Sequence, residues 1–226
     1  MSFQTAEIDS RRYFAEAPRD ASPFGLNEIG TIRIFERDAE VFPEGQVADH
    51  WYRVISGTVR LCKLFADGRR QIAEFYFDGD CFGLEMQPER LFAAEAIGRV
   101  VTMRYPHRAT EQLLSQTPQL AHSMRGAVVH DLAIAQMRML LLGRMTAAER
   151  VATFLLKMFD RSGTGSVIDL PMSRSDIADY LGLTIETVCR VITSFRRAGI
   201  ISTPKAYRIE LCNRSAMQLV LRDLRR

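Results

Sequence analysis

Four cysteines occur in the 226 residues, Cys62, Cys81, Cys189 and Cys212, and no two of them form a CxxC pair. That spacing excludes a disulfide framework and a four-thiolate zinc site. Isolated thiols suit a reducing compartment. Long apolar runs are missing as well. A bilayer span needs about 18 or more consecutive apolar residues, and the most apolar stretch, LAIAQMRMLLLG, is interrupted by Gln136 and Arg138. The opening MSFQTAEIDSRRYFAEAP lacks the apolar centre of a secretory signal. Histidine is sparse and scattered (His50, His107, His122, His130), with no HxH pattern. Metal catalysis on clustered imidazoles, as in a cupin-type enzyme, therefore has little to work with. No motif repeats at solenoid spacing. These absences predict a cytoplasmic protein that is not an enzyme and that needs no membrane, metal or cofactor.

What is present is more specific. An apolar share of 47% supports real cores. The net charge of +3 is unevenly spread: residues 146–226 hold 13 Lys and Arg against 8 Asp and Glu, and the other 145 residues hold 17 against 19. A basic C-terminal third suits a polyanion, because neutralised phosphates release counterions.

The expected fold is α+β: an N-terminal antiparallel β jelly roll, a long dimerisation helix and a C-terminal winged helix-turn-helix. Residues 1–22 read as an N-terminal arm, polar and bounded by prolines. Over 23–106, β-rich runs at 51–55, 58–65, 71–77 and 100–105 alternate with turn signals at Pro43-Glu44-Gly45, Ser56-Gly57, Ala66-Asp67-Gly68 and Asp78-Gly79-Asp80. Regular punctuation of this kind predicts a closed antiparallel barrel. Asp67-Gly68 is a strong hairpin signal, since both residues accept positive φ. Over 107–145 the period changes. Leu120, Met124, Val128, Leu132, Ala135, Met139 and Leu142 recur in steps of three and four, which predicts one helix over 107–143. About 35 residues would reach roughly 50 Å. Its seam suits a matching helix from a second copy, with packing against its own domain as the alternative. From 146 to 226, Thr146 with Glu149 and Ser173 with Asp176 fit capping boxes that open two helices.

The densest signal is SRSDIADYLGLTIETVCRVITSFRRAG, residues 173–199. It reads as two helices joined through Gly182, the outline of a DNA-reading helix-turn-helix. In that motif the N-terminal residues of the second helix meet base edges in the major groove. With Thr184 as N-cap, Glu186, Cys189 and Arg190 lie on the first two turns, while Val188, Val191, Ile192 and Phe195 supply a packing side. Arginine can donate twice to guanine O6 and N7, and a carboxylate can accept from cytosine N4. Glu186 and Arg190, four apart, could instead form a solvated helical ion pair. Candidate contacts to the DNA backbone are Ser173, Arg174, Ser175, Thr184 and Thr187, with Lys205 near the tip of a hairpin or wing around Pro204-Lys205-Ala206. Oxidation of Cys189 would place bulk and negative charge against phosphate; the alternative is an inert small residue.

The two stretches ISGTVRLCKLFADGRRQIAEFYFDGDCFGLE and LPMSRSDIADYLGLTIETVCRVITSFRRAGII resemble the CRP/FNR superfamily of bacterial transcription regulators, and most closely its FNR–FixK branch. The resemblance covers residues 24–226. In that branch the recognition helix reads E-[ST]-x-[SC]-R, and Glu186, Thr187, Cys189 and Arg190 sit on the pattern. The resemblance implies a homodimer, a double-stranded DNA target with a TTGA-type palindrome, and promoter activation through RNA polymerase. Cyclic-AMP-binding members carry FxxGE and an Arg-Ser pair. Here Asp80 stands near the acid position, and Arg90 is followed by Leu91, Phe92 and Ala93. A phosphate buried there would be poorly paired. Oxygen-sensing members use N-terminal cysteines for an iron–sulfur centre, and residues 1–50 contain none. What remains is a FixK-type regulator that acts without a bound effector; the alternative is the same fold gated by a cyclic nucleotide or another small ligand.

Overall fold

The computed structural model describes residues 26–221 other than Met86, Arg144 and Thr164, and within the helix Pro118–Leu142 it describes the backbone but not the side chains at 123, 127, 130, 131, 134, 137, 138 and 140–142. The expected arm at 1–22 lies outside the described residues. The chain divides into two compact units: residues up to 63 with 73–137, and residues 64–72 with 138–226.

The first unit is built on an antiparallel sheet. The strands of this sheet are β1 (Thr31–Phe35), β2 (Glu40–Phe42), β3 (His50–Leu64), β4 (Arg70–Tyr76), β5 (Cys81–Phe82) and β6 (Ala93–Pro106), the residues 64–72 around the β3–β4 turn counting with the second unit. The main order is β1-β6-β3-β4, with β2 on β6 and β5 on β3. Side chains alternate between faces along a strand, and β3 uses both faces. Tyr52 and Val54 point into a core with Phe42, Val59, Phe82, Ala94, Ala96 and Val100. Trp51 points the other way, into a second cluster with Tyr105, Leu120 and Leu26, the last from α1 (Leu26–Ile29). The Trp51 and Tyr105 rings stack with centroids 4.2 Å apart. The Trp51 indole N–H donates to Thr110 Oγ1 at 2.9 Å, and that hydroxyl donates to the Pro106 carbonyl at 2.8 Å. A buried indole thus has its partner, and the start of α2 (His107–Gln116) is tied to the end of β6.

The structure departs from the sequence pattern at two places. Ser56-Gly57 is not a turn between strands. It is a bulge inside the single long strand β3, where register with β6 shifts between Val54, Ser56 and Thr58. Gly57 has φ +100°, and a Cβ there would lie 2.6 Å from the Arg99 carbonyl oxygen, so the chain bends without leaving the sheet. The helix expected over 107–143 is two helices, α2 and α3 (Pro118–Leu142), broken at Thr117. Pro118 lacks the N–H that would continue α2, and a proline disfavours helical geometry in the residue before it. At 25 residues α3 is about 37 Å long. Met124 is packed against the Trp51 cluster, and Val128, Leu132 and Met139 are 48%, 57% and 69% exposed. Ala135 is exposed, and the Leu142 side chain lies outside the described residues.

The second unit contains α4 (Ala147–Ser162), β7 (Val167–Asp169), α5 (Arg174–Leu181), α6 (Ile185–Arg197), β8 (Ile201–Lys205), β9 (Arg208–Leu211) and α7 (Arg214–Val220). Both capping boxes form. Thr146 N–H donates to Glu149 at 2.6 Å, and Ser173 N–H to Asp176 at 3.0 Å. Helix α4 ends at Gly163 and α5 at Gly182, with φ +71° and +62°, the left-handed stop that glycine takes without strain. A three-stranded sheet, β7-β9-β8, carries the wing. Val151, Leu155 and Phe159 of α4, Ile177 and Leu181 of α5, and Val188, Ile192 and Phe195 of α6 are buried. No described helix is long and apolar enough to cross a membrane.

The bulge yields a stability test. Trp51 is the only tryptophan and lies in the first unit, so its fluorescence reports unfolding there. Gly45 has φ +79° with open space around its Cβ position, so Gly45→Ala should cost about 1 kcal/mol of backbone strain. Gly57→Ala adds a clash with backbone and should cost about 3 kcal/mol. Urea midpoints should rank wild type, Gly45→Ala, then Gly57→Ala; equal midpoints for the two variants would remove the bulge's special role.

Candidate nucleic-acid interface

The helix-turn-helix is α5 and α6, joined through Gly182, Leu183 and Thr184. Thr184 caps α6, its hydroxyl accepting the Thr187 N–H at 3.2 Å. Helical spacing then separates two faces. Val188, Ile192 and Phe195 are buried, while Glu186, Cys189, Arg190, Arg196 and Arg197 are exposed. The Glu186 carboxyl is held below its usual range by its own backbone N–H at the helix start, by the Thr184 hydroxyl and by the charge of Arg190. An anionic side chain in the first turn also suits the helix dipole. Glu186 and Arg190 are thus charged neighbours on a solvent-facing surface.

Two grooves flank this face. One holds about 340 Å³ between α6 and the wing, lined by Arg174, Cys189, Thr193, Arg196 and Lys205 among others. The other holds about 360 Å³ and is lined by Cys189, Arg190, Thr193, Ser194 and Arg197. Cys189 and Thr193 therefore stand on the ridge between them. Basic side chains border both grooves, the chemistry that fits a phosphate backbone.

The sequence-selected backbone contacts fall into two groups. Ser175 and Lys205 are exposed, and Thr184 and Thr187 sit at the open end of α6, their hydroxyls 3.1 Å apart. Ser173 and Arg174 are more engaged. Ser173 Oγ donates to Asp176 at 2.7 Å and accepts its N–H at 3.0 Å. Arg174 is half-buried and donates through Nη2 to the Ala206 carbonyl at 3.4 Å. Its Nη1 is enclosed with no hydrogen-bond partner among the described residues. Burial pushes the Arg174 guanidinium below its ordinary value, against the influence of Cys189 and Tyr207. The sequence did not single out Thr193 or the 59% exposed Tyr207 at the wing turn. The i+4 step from Cys189 would have flagged Thr193; Tyr207 carries no local signal.

In the β unit, Arg90 is 3% exposed. Its Nη1 donates to the Gly83 carbonyl at 3.0 Å and lies 3.2 Å from Glu85, and Nη2 donates to the His50 carbonyl. The guanidinium sits 4.2 Å from the Phe42 ring centroid. Groups of three or more His, Cys, Asp and Glu able to hold a metal are absent among the described residues.

The family model for a Crp-like helix-turn-helix domain matches residues 149–220, and that for a cyclic nucleotide-binding domain matches 32–117. The nitrogen fixation regulation protein FixK of Azorhizobium caulinodans is 44% identical over 84% of this chain and 79% of its own length. The transcriptional activatory protein AadR of Rhodopseudomonas palustris is 41% identical over 71% of this chain and 69% of its own. The solved structure of FixK2 from Bradyrhizobium japonicum superposes with a TM-score of 0.81 at 41% identity, covering 85% of this chain and 97% of that one. With the two-helix reader, the wing and the antiparallel β unit in place, the chain belongs to the CRP/FNR family of transcription regulators, in its FixK-type branch, and is a DNA-binding activator rather than an enzyme.

Proposed function

We propose that two copies pair along α3 and present the two α6 helices to successive major grooves of a TTGA-type palindrome, activating promoters by direct contact with RNA polymerase in the cytoplasm. The observation that carries this reading is the exposed face of α6, where Glu186, Cys189 and Arg190 stand over a fully packed opposite side. Arg190 donates to guanine and Glu186 accepts from cytosine, while Ser173, Arg174, Ser175, Thr184, Thr187 and Lys205 hold the backbone. Two-fold pairing places the readers about one DNA turn apart, ~34 Å. The exposed stretch of the α3 seam, Val128, Leu132, Ala135 and Met139, supports the pairing. Met124 and Leu142 extend the same stripe toward its two ends. Action without an effector is supported by Arg90, whose guanidinium is already committed to two carbonyls and Glu85. Oxidation of Cys189 lowers activity by placing an anionic sulfur on the ridge between the two basic grooves.

Each part has its own measurement. Protein purified without added ligand should bind a TTGA-palindrome duplex, with the same affinity when cyclic AMP is present. Arg190→Ala should lose about 1–3 kcal/mol at one base step and relax preference there, while Lys205→Ala should weaken all duplexes alike and lower the salt slope by about 1. A variant at Arg190 with unchanged sequence preference would remove it from base reading. Leu132→Glu should convert the dimer to a monomer in sedimentation; a persistent dimer would move the interface elsewhere. Hydroperoxide should weaken DNA binding by wild type and spare Cys189→Ser. Equal loss in both would reject the thiol.

A further inference from the structure

Helix α5 carries two carboxylates one turn apart, and a single arginine from the hairpin at residues 64–72 takes both. Arg70 Nη2 donates to Asp176 Oδ1 at 2.6 Å. Arg70 Nε donates to Asp179 Oδ2 at 2.9 Å, and Nη2 lies 2.8 Å from the same oxygen. The next residue, Gln71, donates its side-chain amide to the Asp179 backbone carbonyl. This hairpin belongs to the same compact unit as residues 138–226.

Asp176 is a constrained group. It is 4% exposed, and its other oxygen accepts the Ser173 N–H and hydroxyl that start the helix. Arg70 therefore grips the carboxylate that caps α5, and one turn later it grips the same helix again. A planar guanidinium can fork between two acceptors in fixed geometry, which a point-charge ammonium cannot. Burial opposes the charge on Arg70, but its hydrogen bonds to Asp179 and the charge of Asp176 outweigh this and hold it above its ordinary value. The same contact offsets one of two negative charges, pairing Asp176 in the first turn of α5, beside Ser173, Arg174 and Ser175, and Asp179 one turn further on. On the other side of α5, Ile177, Ala178 and Leu181 are buried, and α5 packs against α6. A roll of α5 about its axis would therefore move the base of the reading helix.

We propose that Arg70 is a positioning residue for DNA recognition: its fork to Asp176 and Asp179 fixes the rotation of α5, and with it the seat of α6, and its positive charge offsets part of the negative charge that would repel the phosphate backbone. The proposal rests on α6 being the reader, and Arg190→Ala serves as the control for that premise.

The test uses full-length protein and fluorescence anisotropy with two labelled duplexes, one carrying a TTGA-type palindrome and one of scrambled sequence. Arg70→Ala should weaken binding to the palindrome about tenfold and to the scrambled duplex by less, with the circular-dichroism melt of the protein close to wild type. Arg70→Lys should recover part of the loss, because it restores charge without the fork. Asp179→Asn should weaken the palindrome less than Arg70→Ala does, and Arg70→Ala/Asp179→Asn should be no weaker than Arg70→Ala alone, since the pair acts as one unit. Palindrome affinity within twofold of wild type for Arg70→Ala, full recovery by Lys, or strictly additive losses in the double variant would each overturn the proposal. A loss on both duplexes that tracks a collapsed melt would overturn it too, by reducing Arg70 to a stabilising contact. If Arg190→Ala leaves sequence preference intact, the reader itself is misassigned, an outcome separate from any result at Arg70.

Discussion

Helix α6 can show a polar face to solvent only because its other face is anchored. Val188, Ile192 and Phe195 are buried at intervals of four and three residues, against α4 and α5. Fully burying such side chains stabilises by roughly 1.5–3 kcal/mol each. A 13-residue helix in water is marginal by itself, so this packing decides whether the helix exists. It also decides which residues look outward. Once the buried set is fixed, Glu186, Cys189 and Arg190 have no other direction available.

The ends of the helices add a second layer of definition. Each of the three helices at the reader's core begins with a side chain that satisfies a free backbone N–H: Thr146 for α4, Ser173 for α5 and Thr184 for α6. An N-cap of this type contributes about 1 kcal/mol. The caps also set where each helix starts, and a one-residue shift would rotate every later side chain by about 100°. Base recognition tolerates no such rotation.

What was legible in the sequence was local. The capping boxes span four residues and were visible as spacing, as was Gly182 between the two helices. Glu186, Cys189 and Arg190 fell on one face because helical period alone puts them there. Ser56-Gly57 reads as a turn in the sequence because glycine at positive φ marks both turns and bulges, and only pairing with β6 tells them apart. The break at Thr117 is written in the sequence as Pro118, and the apolar period, which begins only at Leu120, says nothing about where the helix before it ends. Arg174 stands out in the sequence by its position beside Ser173, and its contact to Ala206 depends on how the wing folds back. Arg70 and Asp176 are 106 residues apart, a separation at which no periodicity or motif carries information.

The enclosed Arg90 has a mechanical meaning for the β unit. One guanidinium meets the Phe42 ring, the His50 and Gly83 carbonyls and the Glu85 carboxylate. Three stretches of chain that are separate in sequence, at residues 42, 50 and 83–85, are stapled to one side chain at that end of the sheet. They must loosen together or not at all, because releasing any one of them strands a cation away from water. That rim should breathe as a single cooperative patch, with its amides exchanging in concert rather than strand by strand.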